Sequence, residues 1–134
     1  LDADSGLPRF NMPLELGLFL GAQHYGTRRN REKVTLILDV ERYRYQRFIS
    51  DIAGQDPAAH AGDPAGAITC VRNWLRSHAE AAIPGAARIV ERYATFRREL
   101  PTICAAADLD ATALTFPDYS ALVTAWLRAH SRRA

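Results

Sequence analysis

Glu15 is the residue whose type and setting first suggest chemistry. It is the only charge between Arg9 and His24, inside the apolar run Met12-Pro-Leu-Glu-Leu-Gly-Leu-Phe-Leu-Gly-Ala-Gln-His24. A carboxylate among such neighbours is desolvated unless a donor meets it. A lone anion of this kind suits the stabilisation or covalent capture of an oxocarbenium centre, the charge that develops when an N-glycosidic bond breaks. The plainer role is a first-turn acid favoured by the positive end of a helix. Gly17 and Gly21 add to the first reading. Glycines at i and i+4 share a helix face, each costs roughly 1 kcal/mol relative to alanine, and together they leave a groove for a backbone or a substrate beside the carboxylate.

Bond cleavage also needs a polar group to protonate or orient the leaving base. Asp39, Asp51, Gln55, Asp56 and His60 are the available residues. Asp51 and Asp56 read equally as loop acids and caps, and His60, beside small residues, as a surface histidine. Tyr43 and Tyr45 suit stacking on a base, or a place in the core or at its rim. His24, Arg28 and Arg29 suit phosphates, and Thr27 to Lys33 reads as a solvated turn or a phosphate-binding edge. The four histidines show neither H-x-x-x-H spacing nor pairing with the two cysteines, so no metal site is expected. There is no P-loop, no G-x-G-x-x-G and no serine nucleophile elbow.

Glu15-Leu16-Gly17, opening a helix that precedes an apolar strand, resembles the Glu-x-Gly segment of nucleoside 2-deoxyribosyltransferases. The order of glutamate helix and strand also resembles that of TIR-type NAD-cleaving domains. Arg9-Phe-Asn-Met-Pro-Leu-Glu-Leu-Gly-Leu-Phe-Leu-Gly-Ala22 and Tyr45-Gln-Arg-Phe-Ile-Ser-Asp-Ile-Ala-Gly-Gln-Asp56 look like the latter half of an uncharacterised bacterial family with such a domain. The resemblance implies that Glu15 attacks, or stabilises positive charge on, the anomeric carbon of a ribosyl group. Asn11, Gly17, Asp39 and Tyr43 are then expected to bind the substrate. The transferases carry Gly-Thr three to four residues before the glutamate, where this chain has Asn11 and Met12. NAD or another nucleotide is implied as substrate, with no cofactor.

The elements that must position these residues follow from the pattern. Asn11 suits an N-cap, Pro13 falls in the first turn, and the helix should end near Gly26. Apolar on nearly all sides, it is expected to be buried. Val34-Thr-Leu-Ile-Leu-Asp-Val40 is the one convincing strand, its continuous apolarity fitting a parallel strand covered on both faces. Asp39 sits near its C-terminal end, where open α/β sheets gather their ligands. Tyr45, Phe48, Ile49 and Ile52 suggest a short helix, and 53–64 a loop. Asp63 and Pro64 start a helix with Ile68, Val71, Trp74 and Leu75 on one face, ending near His78. Ile83-Pro84-Gly85 breaks the chain. A longer helix carries Ile89, Val90, Tyr93, Phe96 and Leu100, with Pro101 as a kink or stop. Thr115 and Asp118 have capping-box spacing, and Tyr119, Leu122, Val123, Trp126 and Leu127 form the last stripe. No internal repeat is read.

The fold class expected is therefore an α/β fragment. Residues 1–60 form a Rossmann-like, TIR-like parallel-sheet remnant with one clear strand, and 61–134 a mainly helical extension packed on it. One strand cannot make a sheet, so its partners are expected from a missing N-terminal segment or another copy, giving an oligomer. The 134 residues suffice for one moderate core, and the net charge of +2 gives no reason to expect a nucleic-acid partner. No stretch approaches the 18–20 apolar residues of a membrane span. Cys70 and Cys104 read as buried thiols, which with no secretory signal points to the cytoplasm. The function expected is nucleotide or NAD N-glycosidic cleavage or transfer. The alternative is a non-catalytic nucleotide-sensing or oligomerising module of a bacterial defence or signalling protein.

Overall fold

The computed structural model describes residues 11–42 and 57–131. Its order is α1 (Asn11–Tyr25), α2 (Arg28–Arg31), β1 (Leu38–Asp39), β2 (Ala58–Ala59), α3 (Pro64–His78), α4 (Ala86–Ala106) and α5 (Phe116–Ser131). The chain divides into two compact units, one ending at His78 and one beginning at Ala79. The helix read over Tyr45 to Ile52, and Tyr43, lie outside the described residues.

In the first unit, α1 accommodates Pro13 in its opening turn and ends before Gly26. The Gly26 N–H reaches the Ala22 carbonyl at 2.9 Å, and a Cβ on Gly26 would collide with that same carbonyl. Burial of α1 is not what the structure shows. Leu14 is 64% exposed, Leu18 66% and Tyr25 86%, and α2 is the described element against which α1 packs. An apolar circumference buries a helix only when other elements surround it.

The strand expected over 34–40 is confined to β1, and its partner comes from the same chain. Leu38 pairs in parallel with Ala58, and Asp39 with Ala59. Ala58 N–H bonds to Ile37 O at 2.9 Å, His60 N–H to Asp39 O at 3.0 Å and Ala61 N–H to Val40 O at 2.9 Å. The segment expected to be a loop thus supplies β2. Pro57, which has no N–H to donate, limits β2 on one side. A turn with Ala61 at φ 54° and Gly62 at φ 72° ends it on the other. α3 then starts as the sequence indicates: Asp63 Oδ2 accepts the Gly66 N–H at 3.0 Å, and Pro64 takes the first position, where a missing donor is harmless. α3 packs on β2, and the Cys70 thiol points to the Ala59 carbonyl at 3.6 Å. α3 therefore belongs to the same compact unit as the strands.

The second unit holds every described residue that is buried: Phe96, Leu100, Cys104, Leu122 and Trp126. They lie at helical spacing on α4 and α5, so each helix turns one stripe to the other. Phe96 meets Trp126 and Tyr119 edge to face at 5.6 and 5.7 Å. Trp126 Nε1–H donates to Glu99 Oε2 at 2.6 Å, which satisfies the one polar group a buried indole brings. Leu127, placed on the stripe by sequence, is instead exposed. Asp118 accepts from the Thr115 N–H at 3.2 Å, and its own N–H reaches Thr115 Oγ1 at 3.4 Å, which is the reciprocal cap read from the sequence. Before it, Thr112 donates its N–H and hydroxyl to Asp110 Oδ1, both at 2.8 Å, and these bonds hold the Asp110 carboxyl below its usual range. Pro101 lies inside α4 rather than ending it, with buried Leu100 and Cys104 close by.

One short repeat escaped the sequence reading. Trp74-Leu-Arg-Ser-His78 closes α3 and Trp126-Leu-Arg-Ala-His130 closes α5. In both, histidine Nδ1 lies against the tryptophan carbonyl four residues earlier, at 2.8 and 2.9 Å, and the two rings meet at 4.9 and 4.1 Å. A carbonyl only accepts, so Nδ1 carries the proton in each pair.

Candidate functional site

Glu15 stands in the second turn of α1, exposed. No hydrogen bond or ion pair joins its side chain to any described residue, so the desolvation expected from its apolar neighbours is not present. The nearest cations in sequence belong to α2, and Arg28 there is already held by Glu32 at 3.1 Å. A Cβ built on Gly17 or Gly21 would meet nothing within 4 Å, so that face is open as the glycines suggested. It is not the face of the carboxylate, however. At about 100° per residue, positions 15 and 17 project to nearly opposite sides of a regular helix. Glu15 and the glycine face are therefore two features of α1, not one groove. Asn11, the first residue of α1, precedes Glu15 by one turn.

The C-terminal half of α1 contributes a separate open groove of about 720 Å³, lined by Leu20, Gly21, Gln23, His24, Tyr25 and Arg31. His24 and Tyr25 meet edge to face at 4.5 Å. Gln23 Nε2 donates to Lys33 O at 2.9 Å, tying the basic loop back to α1. The groove combines an aromatic surface with a guanidinium, which suits a base and an anionic group. His24 and the arginine-bearing α2 thus come together, while Glu15 is not among the lining residues.

Asp39 closes β1, with its Oδ1 accepting the Val40 N–H at 2.7 Å. It occupies the C-terminal end of the parallel pair, the position that made it a candidate. Immediately beside it stands His60, which the sequence offers as a polar group for the leaving base or, more plainly, as a surface histidine. Its N–H donates to the Asp39 carbonyl, and its ring nitrogen Nδ1 is buried without a hydrogen-bond partner. Leaving a buried polar atom unsatisfied costs roughly 1–3 kcal/mol. The legible signal was Ala-His-Ala-Gly-Asp-Pro: small residues that permit a left-handed turn, then a helix start.

Among the described residues, no group of three histidine, cysteine or acidic side chains is placed to hold a metal ion, and no helix is long and apolar enough to cross a membrane. No protein-family profile, curated protein or solved structure matches this chain.

Proposed function

We propose that the first unit is the substrate-facing part of a Rossmann-like, TIR-like domain that cleaves or transfers the N-glycosidic bond of NAD or another nucleotide, with Glu15 as the carboxylate opposite the anomeric carbon. The supporting observation is the isolation of Glu15. It is the one anion of α1 and has no partner among the described residues. A carboxylate locked against a cation would have spoken for a purely structural role. The aromatic and basic groove at His24, Tyr25 and Arg31 suits the base and phosphate ends of the same class of ligand. In this reading the site closes when another polypeptide segment or a second copy covers α1, since a carboxylate acts on developing charge most strongly where water is excluded.

Glu15→Gln tests the proposal, because glutamine keeps size and polarity and cannot carry the charge. Release of nicotinamide from NAD, or of free base from nucleosides, is expected to fall by about 100-fold or more, with the thermal melt unchanged. Equal turnover by the two proteins excludes Glu15 from the chemistry. A second reading, a non-catalytic nucleotide-sensing or oligomerising module, is favoured by the exposed Leu14, Leu18 and Tyr25. It predicts nucleotide binding or self-association with no turnover by either protein.

A further inference from the structure

We propose that α5 is a self-association surface on which a second copy of the chain docks antiparallel, Phe116 of each copy against Leu127 of the other and Arg128 of each beside the other's Asp118. The proposal concerns the second unit and does not rest on the nucleotide reading of the first. α5 turns Leu122 and Trp126 into the core it shares with α4, which leaves its opposite face to solvent. From Phe116 to Ala125 that face carries no charge. Arg128 closes it, and together these residues line an open groove of about 590 Å³. Phe116 is 83% exposed and Leu127 41%. A helix face turned to water ordinarily carries charge. α4 follows that rule, with Arg88, Glu91, Arg97 and Arg98 among its exposed residues. α5 departs from it, so its outward face is suited to cover rather than to water.

Helix geometry and charge select the occupant. On a regular helix Phe116 and Leu127 lie about 20° apart, along one border of the groove, and Asp118 and Arg128 about 80° apart, along the other. A two-fold axis that sets two α5 helices antiparallel keeps each border on its own side and exchanges the ends. Centred between Ala121 and Leu122, it brings each Phe116 level with the other copy's Leu127, and each Arg128 within one turn of the other's Asp118. Both charges are available. Asp118 receives the Thr115 N–H and hydroxyl on Oδ2 alone, and Arg128 is exposed with no ion-pair partner among the described residues. Antiparallel docking thus joins opposite charges and opposite helix dipoles, whereas a parallel pair would set Arg128 against Arg128. Between the two borders the side chains of Ser120, Ala121 and Thr124 are small, which lets the axes approach to the short end of the usual 8–10 Å. The Thr124 hydroxyl already donates to Ser120 O at 2.8 Å, so covering it strands no donor.

Sedimentation equilibrium of the full chain tests the proposal. Wild type is expected to dimerise at concentrations of about 10–100 µM. Phe116→Asp is expected to weaken the dimer by about 10-fold or more. Phe116 lies outside the core, and an acid in the first turn favours the helix start, so the circular dichroism spectrum should hold. Arg128→Glu sets like charges together and is expected to weaken the dimer by about 10-fold, and Asp118→Asn, whose amide oxygen still accepts from Thr115, by about 3-fold. The two combined should associate more tightly than Arg128→Glu alone, because the repelling carboxylate is gone. A monomer at every concentration overturns the proposal. So does a dimer that Leu18→Asp in α1 abolishes and Phe116→Asp leaves intact, which places association on the first unit. An Arg128→Glu loss that Asp118→Asn fails to relieve overturns the antiparallel arrangement.

Discussion

At Gly66 the neighbour that matters is a carbonyl rather than a side chain. A Cβ would lie 2.7 Å from His60 O and 3.4 Å from its C and Cα, and backbone cannot swing aside as a flexible side chain does. Helix propensity favours alanine there by about 1 kcal/mol; overpacking against fixed backbone opposes it by about 1–3 kcal/mol. Gly66→Ala is therefore expected to lower the melting temperature of the first unit, read from Trp74 fluorescence, and an unchanged or higher value would show that α3 can lift away from the turn. At this scale the legible features were those written in adjacent residues: Asp63 with Pro64, and Thr115 with Asp118. The turn around His60 was legible in Ala-His-Ala-Gly-Asp-Pro, whereas its unpartnered ring nitrogen was not, because that depends on the register that sets β1 beside β2, and register joins residues far apart in sequence.

Caps and breakers predicted where α1 and α3 begin and end and where α5 begins, since such signals are local. They did not predict what would cover α1, or how short β1 would be. Apolar content measures the surface a segment would gain by hiding, whereas the neighbours that hide it come from tertiary contacts. β2 was missed for a related reason: Ala58 and Ala59 carry no β-branched or aromatic side chain to announce a strand. Gly17→Leu probes α1 as an element. With nothing within 4 Å of the new side chain's first atom, only propensity remains, and a gain of a few tenths up to about 1 kcal/mol is expected. A melting temperature that falls by several degrees would mean that this face is packed in solution. A rise accompanied by loss of NAD binding would place the ligand on the glycine side of α1, away from Glu15.

At the scale of the whole molecule, the buried side chains among the described residues lie in one unit and the candidate site in the other. Local stability follows the density of buried apolar contacts, so the two tryptophans are expected to report different transitions. In urea, Trp126 fluorescence in Trp74→Phe should change at a higher midpoint than Trp74 fluorescence in Trp126→Phe. Coincident curves would show one cooperative body and would remove the distinction between a firm helical pair and a looser site-bearing unit. The short Trp-Leu-Arg-x-His endings of α3 and α5 sharpen that comparison. Their local geometry is alike, and the indole of Trp126 differs in being buried and bonded to Glu99.

Pro101 carries a mechanical consequence. Having no amide hydrogen, it leaves the Arg97 carbonyl without the donor that would normally lie one turn ahead. α4 is thus two hydrogen-bonded stretches joined at a weakened link, and Pro101 itself is exposed to water. The rigidity lost in the backbone is lent by α5, because Phe96, Leu100 and Cys104, spanning the link, are all in the core that α5 completes through Leu122 and Trp126. A rod spliced in this way is stiff only while its splint is bound, so the bending of α4 is set less by its own sequence than by how tightly α5 is docked.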